Sequence, residues 1–225
     1  RFYSNIDSLS VIEDLIEISD LDLDEKIIIV WPEGILPGIS QEKLIEYKWL
    51  FKEKLNQNHV LVLGINNQSL KNGSNVFFNS LTVYDNELNV IDFYNKIKLV
   101  PFGEFLPFEN ILKKIGLKSI TNNYQSFSSG YQRNIIEIKE KNFILKILPL
   151  ICYEIIYSGK LFNSSDFDII INISEDGWFG KSIGPHQHFA KAIFRAIENN
   201  SFLARSANQG VSAIISNKGK VIKKL

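Results

Sequence analysis

Methionine is absent from the chain, and cysteine occurs once, at position 152. A lone cysteine excludes an internal disulfide and leaves the redox compartment open. Histidine is scarce as well, with three residues at positions 59, 186 and 188. The last two stand at i and i+2 at the start of an expected helix, where side chains do not share a face. They read as helix-capping or pocket-shaping residues, and no metal site is expected. No stretch approaches the roughly 18 uninterrupted apolar residues of a membrane span, and no signal-peptide pattern opens the chain. Neither charge sign dominates, because Lys plus Arg and Asp plus Glu are 25 each. That balance supplies no global field to attract nucleic acid. Gly177, Gly180 and Gly184 lack the lysine spacing of a phosphate-binding loop. The first residue is Arg1, and the chain stops at Lys224-Leu225 just after a strand-like run, so it is expected to be a piece excised from something longer.

What is present suits one soluble α/β domain. The 225 residues are enough for a full core, and 45% hydrophobic with 22% charged is ordinary for a globular fold. Apolar spacing at Ile12, Leu15, Ile16 and Ile18 predicts a helix in the first 25 residues. Residues 26–31 form a continuous apolar run, read as a strand buried on both faces. Ser40 is placed to cap a helix with Leu44, Tyr47, Phe51 and Leu55 on its apolar side. Strands are expected at 59–65, 76–84 and 90–94, then a hairpin of 135–138 with 143–151, and a buried strand at 167–173. A glycine-rich loop over 177–185 precedes a helix over 186–199 that should bury Phe189, Ile193 and Ile197. Strands at 201–207, 211–215 and 220–222 close the chain. Strands alternating with two or three helices, some joined as hairpins, indicate mixed sheets in a layered domain. No linker or repeat divides residues 1–225.

Three polar residues follow predicted strands: Glu33, Lys96 and Cys152. Strand ends on one edge of a sheet converge, so residues far apart in sequence can share a pocket. Their chemistry is mutually consistent. A carboxylate can take a thiol proton and return it to a leaving group. An ammonium can favour the thiolate and stabilise an oxyanion. A thiolate can attack a carbonyl to give a thioester. Each residue also has a plain reading: Glu33 as a turn residue after Pro32, Lys96 as a solvated lysine, and Cys152 as a small buried hydrophobe. The segment 101–117 holds Phe102, Phe105, Leu106, Phe108, Ile111, Leu112, Ile115 and Leu117. It fits either core packing or an apolar arm dipping toward lipid, with Lys113, Lys114 and Lys118 near headgroups.

Several blocks carry a resemblance. Trp31-Pro32-Glu33-Gly34, Tyr94-Asn95-Lys96 and Ile151-Cys152-Tyr153-Glu154 resemble the Glu-Lys-Cys blocks of the nitrilase, or carbon–nitrogen hydrolase, superfamily. Residues 99–107, residues 172–180 with 182–188, and Arg205-Ser206-Ala207-Asn208-Gln209-Gly210-Val211-Ser212-Ala213 narrow the resemblance to the catalytic domains of the bacterial apolipoprotein N-acyltransferase family. The likeness runs from about residue 26 to the end. It implies a nitrilase-like αββα sandwich of two mixed β-sheets flanked by helices, as a fragment lacking its first strand and the transmembrane helices of the full protein. It implies an acyltransferase that moves a fatty acyl chain from a membrane phospholipid to the N-terminal amino group of a lipidated apolipoprotein, through a cysteine thioester. Glu33 would be general base and acid, Lys96 the oxyanion stabiliser and Cys152 the nucleophile. Glu104 would support the lysine, Tyr153 and Glu154 would shape the site, and Phe105, Leu106, Trp178 and Phe179 would line it for substrate. The resemblance implies no cofactor, no nucleic-acid partner, membrane attachment through segments outside this chain, and a place on the periplasmic face of the bacterial inner membrane. Two departures stand out: Glu175 where the family usually has asparagine, and Lys98 where it often has histidine. The rival readings are a soluble amidase of the same superfamily acting on a small carbon–nitrogen substrate, and a non-catalytic binding module.

Overall fold

The apolar runs become strands that sort into two mixed sheets, with helices on both outer faces, in the computed structural model of the chain. The structure describes residues 7–36, 38–71, 73–105, 107, 126–139, 143–159 and 166–225. Helix α1 (Ser8–Ile18) starts at Asp7, whose side chain accepts from Leu9 N at 3.2 Å, and it turns Ile12 and Ile16 inward. The helix after Ser40 is divided into α2 (Gln41–Leu44), a 3-10 turn (Ile45–Tyr47) and α3 (Lys48–Lys54). Ser40 caps α2 as its position suggests, its Oγ accepting from Lys43 N at 3.5 Å.

The first sheet contains β1 (Ile27–Trp31), β2 (His59–Lys71), β3 (Ser74–Tyr84) and β4 (Val90–Asn95), in that spatial order. β1 and β2 are parallel, with Trp31 opposite Leu63, because α2 and α3 carry the chain back to the starting edge. β2 and β3 form a long antiparallel ribbon ending at Lys71 opposite Ser74. Its outer half is polar, from Asn66 to Ser69, so apolar patterning alone stops β2 at Ile65. The second sheet has the order β10-β9-β8-β7-β6-β5. Its members are β5 (Ile136–Lys139), β6 (Ile144–Ile151), β7 (Ile169–Glu175), β8 (Phe202–Asn208), β9 (Ala213–Ile215) and β10 (Val221–Lys224). β6, β7 and β8 are parallel neighbours, and helix α4 (Gly184–Glu198) makes the crossover from β7 to β8.

Three apolar clusters hold the layers together. Ile12, Trp31, Leu44, Phe51 and Leu63 join α1, α2 and α3 to the first sheet. Val62, Leu81, Tyr94, Ile147, Ile151 and Ile173 fill the space between the sheets. Leu148, Leu150, Ile170, Ala192, Ala196 and Leu203 join the second sheet to α4. The order is therefore helix, sheet, sheet, helix, as the resemblance implies.

Two expectations are corrected. α4 buries His188, Ala192, Arg195 and Ala196, while Ile197 is 47% exposed and Phe189 and Ile193 are only partly covered. The two alanines let the helix lie close to the sheet, and the polar residues beside them are tolerated because they are paired. Arg195 bonds Glu198 at 2.8 Å and also the carbonyl of Tyr157. β1 is not buried on both faces along its length. It is an edge strand, and Ile28 stays exposed.

Candidate active site

Glu33 follows β1, Lys96 follows β4, and Cys152 follows β6. The first two come from one sheet and the third from the other, so the site bridges the sandwich. All three are buried: Lys96 is 1% exposed, and Glu33 and Cys152 are 9% each. Glu33 Oε1 accepts from Lys96 Nζ at 3.3 Å and from Asn79 Nδ2 at 2.6 Å, and its Oε2 accepts from the backbone N of Glu175 at 2.9 Å. Glu104 flanks the lysine on its other side, with Oε1 3.0 Å from Nζ. Asn79 Nδ2 also donates to Glu104 at 2.7 Å, so one buried amide holds both carboxylates against one ammonium. Asn79 lies in β3, and its only sequence signal is a polar pair, Asn79-Ser80, directly after the apolar run Val76-Phe77-Phe78.

Cys152 opens a 3-10 turn (Cys152–Ile156) with φ of 47°, the left-handed region that non-glycine residues rarely adopt. A strained residue at a strand-to-turn corner projects its side chain beyond the sheet. Its Sγ lies 4.0 Å from the carbonyl oxygen of Glu175, whose amide binds Glu33, and the Glu33 and Lys96 charges both act on the thiol.

The electrostatics separate the three groups. Burial opposes ionisation of Glu33, but the Lys96 charge and the bonds from Asn79, Cys152 and the Glu175 amide outweigh it and hold its carboxyl below the usual range. Burial likewise opposes the Lys96 charge, yet Glu33, Cys152 and Glu104 together push its pKa up. The thiol behaves differently. Burial and the adjacent Glu33 carboxylate push it up to about 12, although Lys96 pulls the other way. Lys96 thus favours the thiolate as expected, but burial and the Glu33 charge outweigh it. At neutral pH the resting thiol is protonated beside an ionised carboxylate and a charged amine, so a proton acceptor must act as the sulfur attacks.

Glu154, fully buried, does not face the thiol. It gathers donors from three segments. Oε1 accepts from Tyr94 Oη at 2.6 Å, Ile97 N at 3.0 Å and Lys98 N at 3.1 Å, and Oε2 accepts from Ile151 N at 3.0 Å. Arg133 Nη2 pairs with it at 3.0 Å, and its guanidinium lies 4.9 Å from the centre of the Tyr94 ring. Glu154 thus ties the residues around Lys96 to the end of β6. Tyr153 is half-buried and packs edge-on against Tyr157, with ring centres 5.7 Å apart. Lys98 is exposed, its Nζ 5.8 Å from the Tyr157 ring.

The Glu175 side chain accepts from Gly177 N at 2.8 Å and Asn208 Nδ2 at 2.6 Å. Burial, then the neighbouring Glu33 and Asp176 charges, outweigh those bonds and raise its pKa. Of the residues expected to line the site, Trp178 is 80% exposed, Phe179 leans edge-on over His188, and Phe105 is half-buried. Leu106 and residues 108–117 lie outside the described residues. His186 is exposed, whereas His188 is buried beneath Cys152. Arg133 and Asn79 escape sequence reading because their partners are distant in the chain.

The carbon–nitrogen hydrolase family matches residues 23–225. An apolipoprotein N-acyltransferase of Rhizobium leguminosarum bv. trifolii is 36% identical over 201 residues, covering 87% of this chain and 36% of that protein. One from Brucella suis biovar 1 is 34% identical over 197 residues, covering 86% of this chain and 36% of that protein. The chain thus spans about a third of the length of these curated relatives. Among solved structures, a carbon–nitrogen hydrolase superfamily protein of Xanthomonas campestris aligns with a TM-score of 0.65 at 17% identity, covering 97% of this chain and 79% of that one. An amidase from Nesterenkonia sp. aligns with a TM-score of 0.60 at 14% identity, covering 97% and 79% respectively. These two likenesses concern the fold. With the matched residues spanning both sheets and all three strand ends, the chain belongs to the carbon–nitrogen hydrolase family.

Proposed function

We propose that this chain is the catalytic portion of a bacterial apolipoprotein N-acyltransferase, a longer membrane-bound enzyme working on the periplasmic face. The observation that carries the reading is the buried Glu33–Lys96 ion pair acting on a buried Cys152, in a chain whose curated relatives of that name match it over most of its length. Cys152 is the nucleophile, Glu33 the general base and acid, and Lys96 the electrophilic group. In the first half-reaction Glu33 takes the thiol proton while Sγ attacks the ester carbonyl carbon of a phospholipid. The resulting oxyanion forms beside the Lys96 ammonium. Collapse breaks the carbon–oxygen ester bond, Glu33 returns its proton to the departing oxygen, and a lysophospholipid leaves a thioester on Cys152. In the second half-reaction the amino group of the lipidated N-terminal cysteine attacks the thioester. Glu33 accepts the amine proton and passes it to the leaving thiolate, regenerating the resting enzyme.

An ester buried between two sheets and an apolar surround would slow competing attack by water. Exposed Trp178, Phe102 and Ile183 offer the apolar contact that a lipid donor and acceptor would use. Among the described residues no helix is long and apolar enough to cross a membrane, so membrane attachment is assigned to segments outside this chain. The test is intact-protein mass spectrometry of the full-length enzyme incubated with phosphatidylethanolamine and no acceptor. Wild type should gain one fatty-acyl mass that neutral hydroxylamine removes, and a lipopeptide acceptor should clear it. Cys152→Ala should gain no mass and transfer nothing. A Cys152→Ala enzyme that still acylates lipopeptide at the wild-type rate would end the proposal.

A further inference from the structure

We infer that His188, anchored by Asp176 and Arg205, is a positioning residue that holds Cys152 in its strained conformation. The inference rests on the reading of Cys152 as nucleophile. A left-handed non-glycine residue persists only where its surroundings over-determine it. For Cys152 (φ 47°) one such restraint is its own carbonyl, which lies 3.1 Å from His188 Nε2. A carbonyl oxygen only accepts, so the ring donates through Nε2. The peptide is planar, and pinning its carbonyl fixes the orientation of the Cys152–Tyr153 unit and with it the direction of the thiol.

The ring itself is held on its other side. His188 Nδ1 lies 2.8 Å from Asp176 Oδ1 and 3.2 Å from Arg205 Nη2, and Phe179 closes one face with ring centres 5.4 Å apart. Asp176 is fully buried and accepts from Ser174 Oγ at 2.7 Å and from Arg205 Nη2 at 2.8 Å and 3.0 Å. Arg205 in turn bonds Asn172 and the carbonyl of Val211. The cluster also reaches the base. Asp176 follows Glu175, whose amide binds Glu33 Oε2 at 2.9 Å and whose carbonyl faces Cys152 Sγ at 4.0 Å. One buried ion cluster therefore sets both the thiol and the carboxylate that takes its proton. A helix-capping role does not describe His188, because it is the fifth residue of α4 and its Nε2 reaches a different element.

The experiment compares His188→Gln, which keeps an amide donor of similar reach, with His188→Met, which keeps length without a donor. Both are made in the full-length enzyme. Cys152 alkylation by iodoacetamide is followed across pH, alongside kcat, KM and melting temperature. His188→Met should slow alkylation at neutral pH and lower kcat by on the order of tenfold or more, the cost of leaving a buried carbonyl unpaired. Its KM for phospholipid should stay within about twofold. His188→Gln should recover alkylation to within about threefold of wild type even where both variants melt at the same lowered temperature. Wild-type alkylation in His188→Met, or equal losses in both variants, would overturn the inference. Should His188→Met not fold, His188→Gln decides alone, and alkylation below about a tenth of wild type refutes it. Iodoacetamide needs no lipid, so an enzyme that alkylates as described yet transfers no acyl group counts against the proposed function and not against the positioning role.

Discussion

Glu154→Gln tests the internal scaffold of the site, and its cost can be worked from the bonds around one carboxylate. Glu154 is fully buried, and every group facing it is a donor: the Tyr94 hydroxyl, the amides of Ile97, Lys98 and Ile151, and the Arg133 guanidinium. Burial, reinforced by the Glu154 charge, raises the Tyr94 pKa, so its hydroxyl remains a donor at any working pH. Glutamine must present an NH₂ in place of one oxygen. Turned toward Ile151 it loses the least, yet it still sets donor against donor there and removes the charge paired with Arg133. Breaking a buried pair from one side costs about 3–5 kcal/mol. In a domain of this size each kcal/mol moves the melting temperature by roughly 2–4 °C, so a fall of about 6–20 °C is expected. Circular dichroism melts of the full-length protein at two scan rates give the measurement. Adding Arg133→Met to Glu154→Gln should cost less than the sum of the two single changes, because the second change relieves the unpaired guanidinium. A melting temperature within about 2 °C of wild type would refute the reasoning, since a satisfied buried carboxylate cannot be neutralised that cheaply.

Three further outcomes follow from the same geometry. The Glu33 charge raises the Cys152 pKa and the Lys96 charge lowers it, so Glu33→Gln should move the iodoacetamide pH profile to lower pH while abolishing acyl transfer, and Lys96→Ala should move it higher; shifts of the opposite sign would mean the charges are misassigned. Burial works against the Asp176 charge, but His188, Arg205 and Ser174 outweigh it and lower its pKa, so its stabilisation is present above the ordinary carboxylate value and is lost as pH falls through the lowered one. Asp176→Asn should therefore melt lower at neutral pH, by the equivalent of about 3–5 kcal/mol, and the gap to wild type should narrow below about pH 4; a gap independent of pH would count against the charge pairing. Gly64→Ala would put a Cβ 2.7 Å from the Glu33 Cα and 2.9 Å from Ile173 Cδ1, so acyl transfer should fall with a measurable loss of stability, whereas an unaffected enzyme would show that the Glu33 backbone has room to move.

Local signals made much of this protein legible without coordinates. Apolar runs marked the strands of both sheets, because a strand buried in a layered fold must be apolar over several residues. The cap at Ser40 and the glycine-rich loop over 177–185 marked where helices start. Glu33, Lys96 and Cys152 could be read as one group because each directly follows a strand and because their blocks resemble those of the nitrilase superfamily, although Cys152 ends a strand of the second sheet and shares no edge with the other two. The sequence by itself thus determined the element order, the layered α/β class and the three residues that meet. Only the tertiary structure decided how they meet. Asn79 joins Glu33 and Glu104 across separations of 46 and 25 residues, and Arg133 meets Glu154 across 21, pairings that no local pattern encodes. The charge states were likewise a property of the fold. A thiol pushed to about 12 beside a carboxylate held ionised reflects burial and neighbours brought in from other strands. α4 makes the same point. Its pattern promised Ile197 to the core, but close approach through Ala192 and Ala196 turned His188 and Arg195 inward instead. Periodicity says which residues share a helix face, and packing against the partner sheet selects which face is buried.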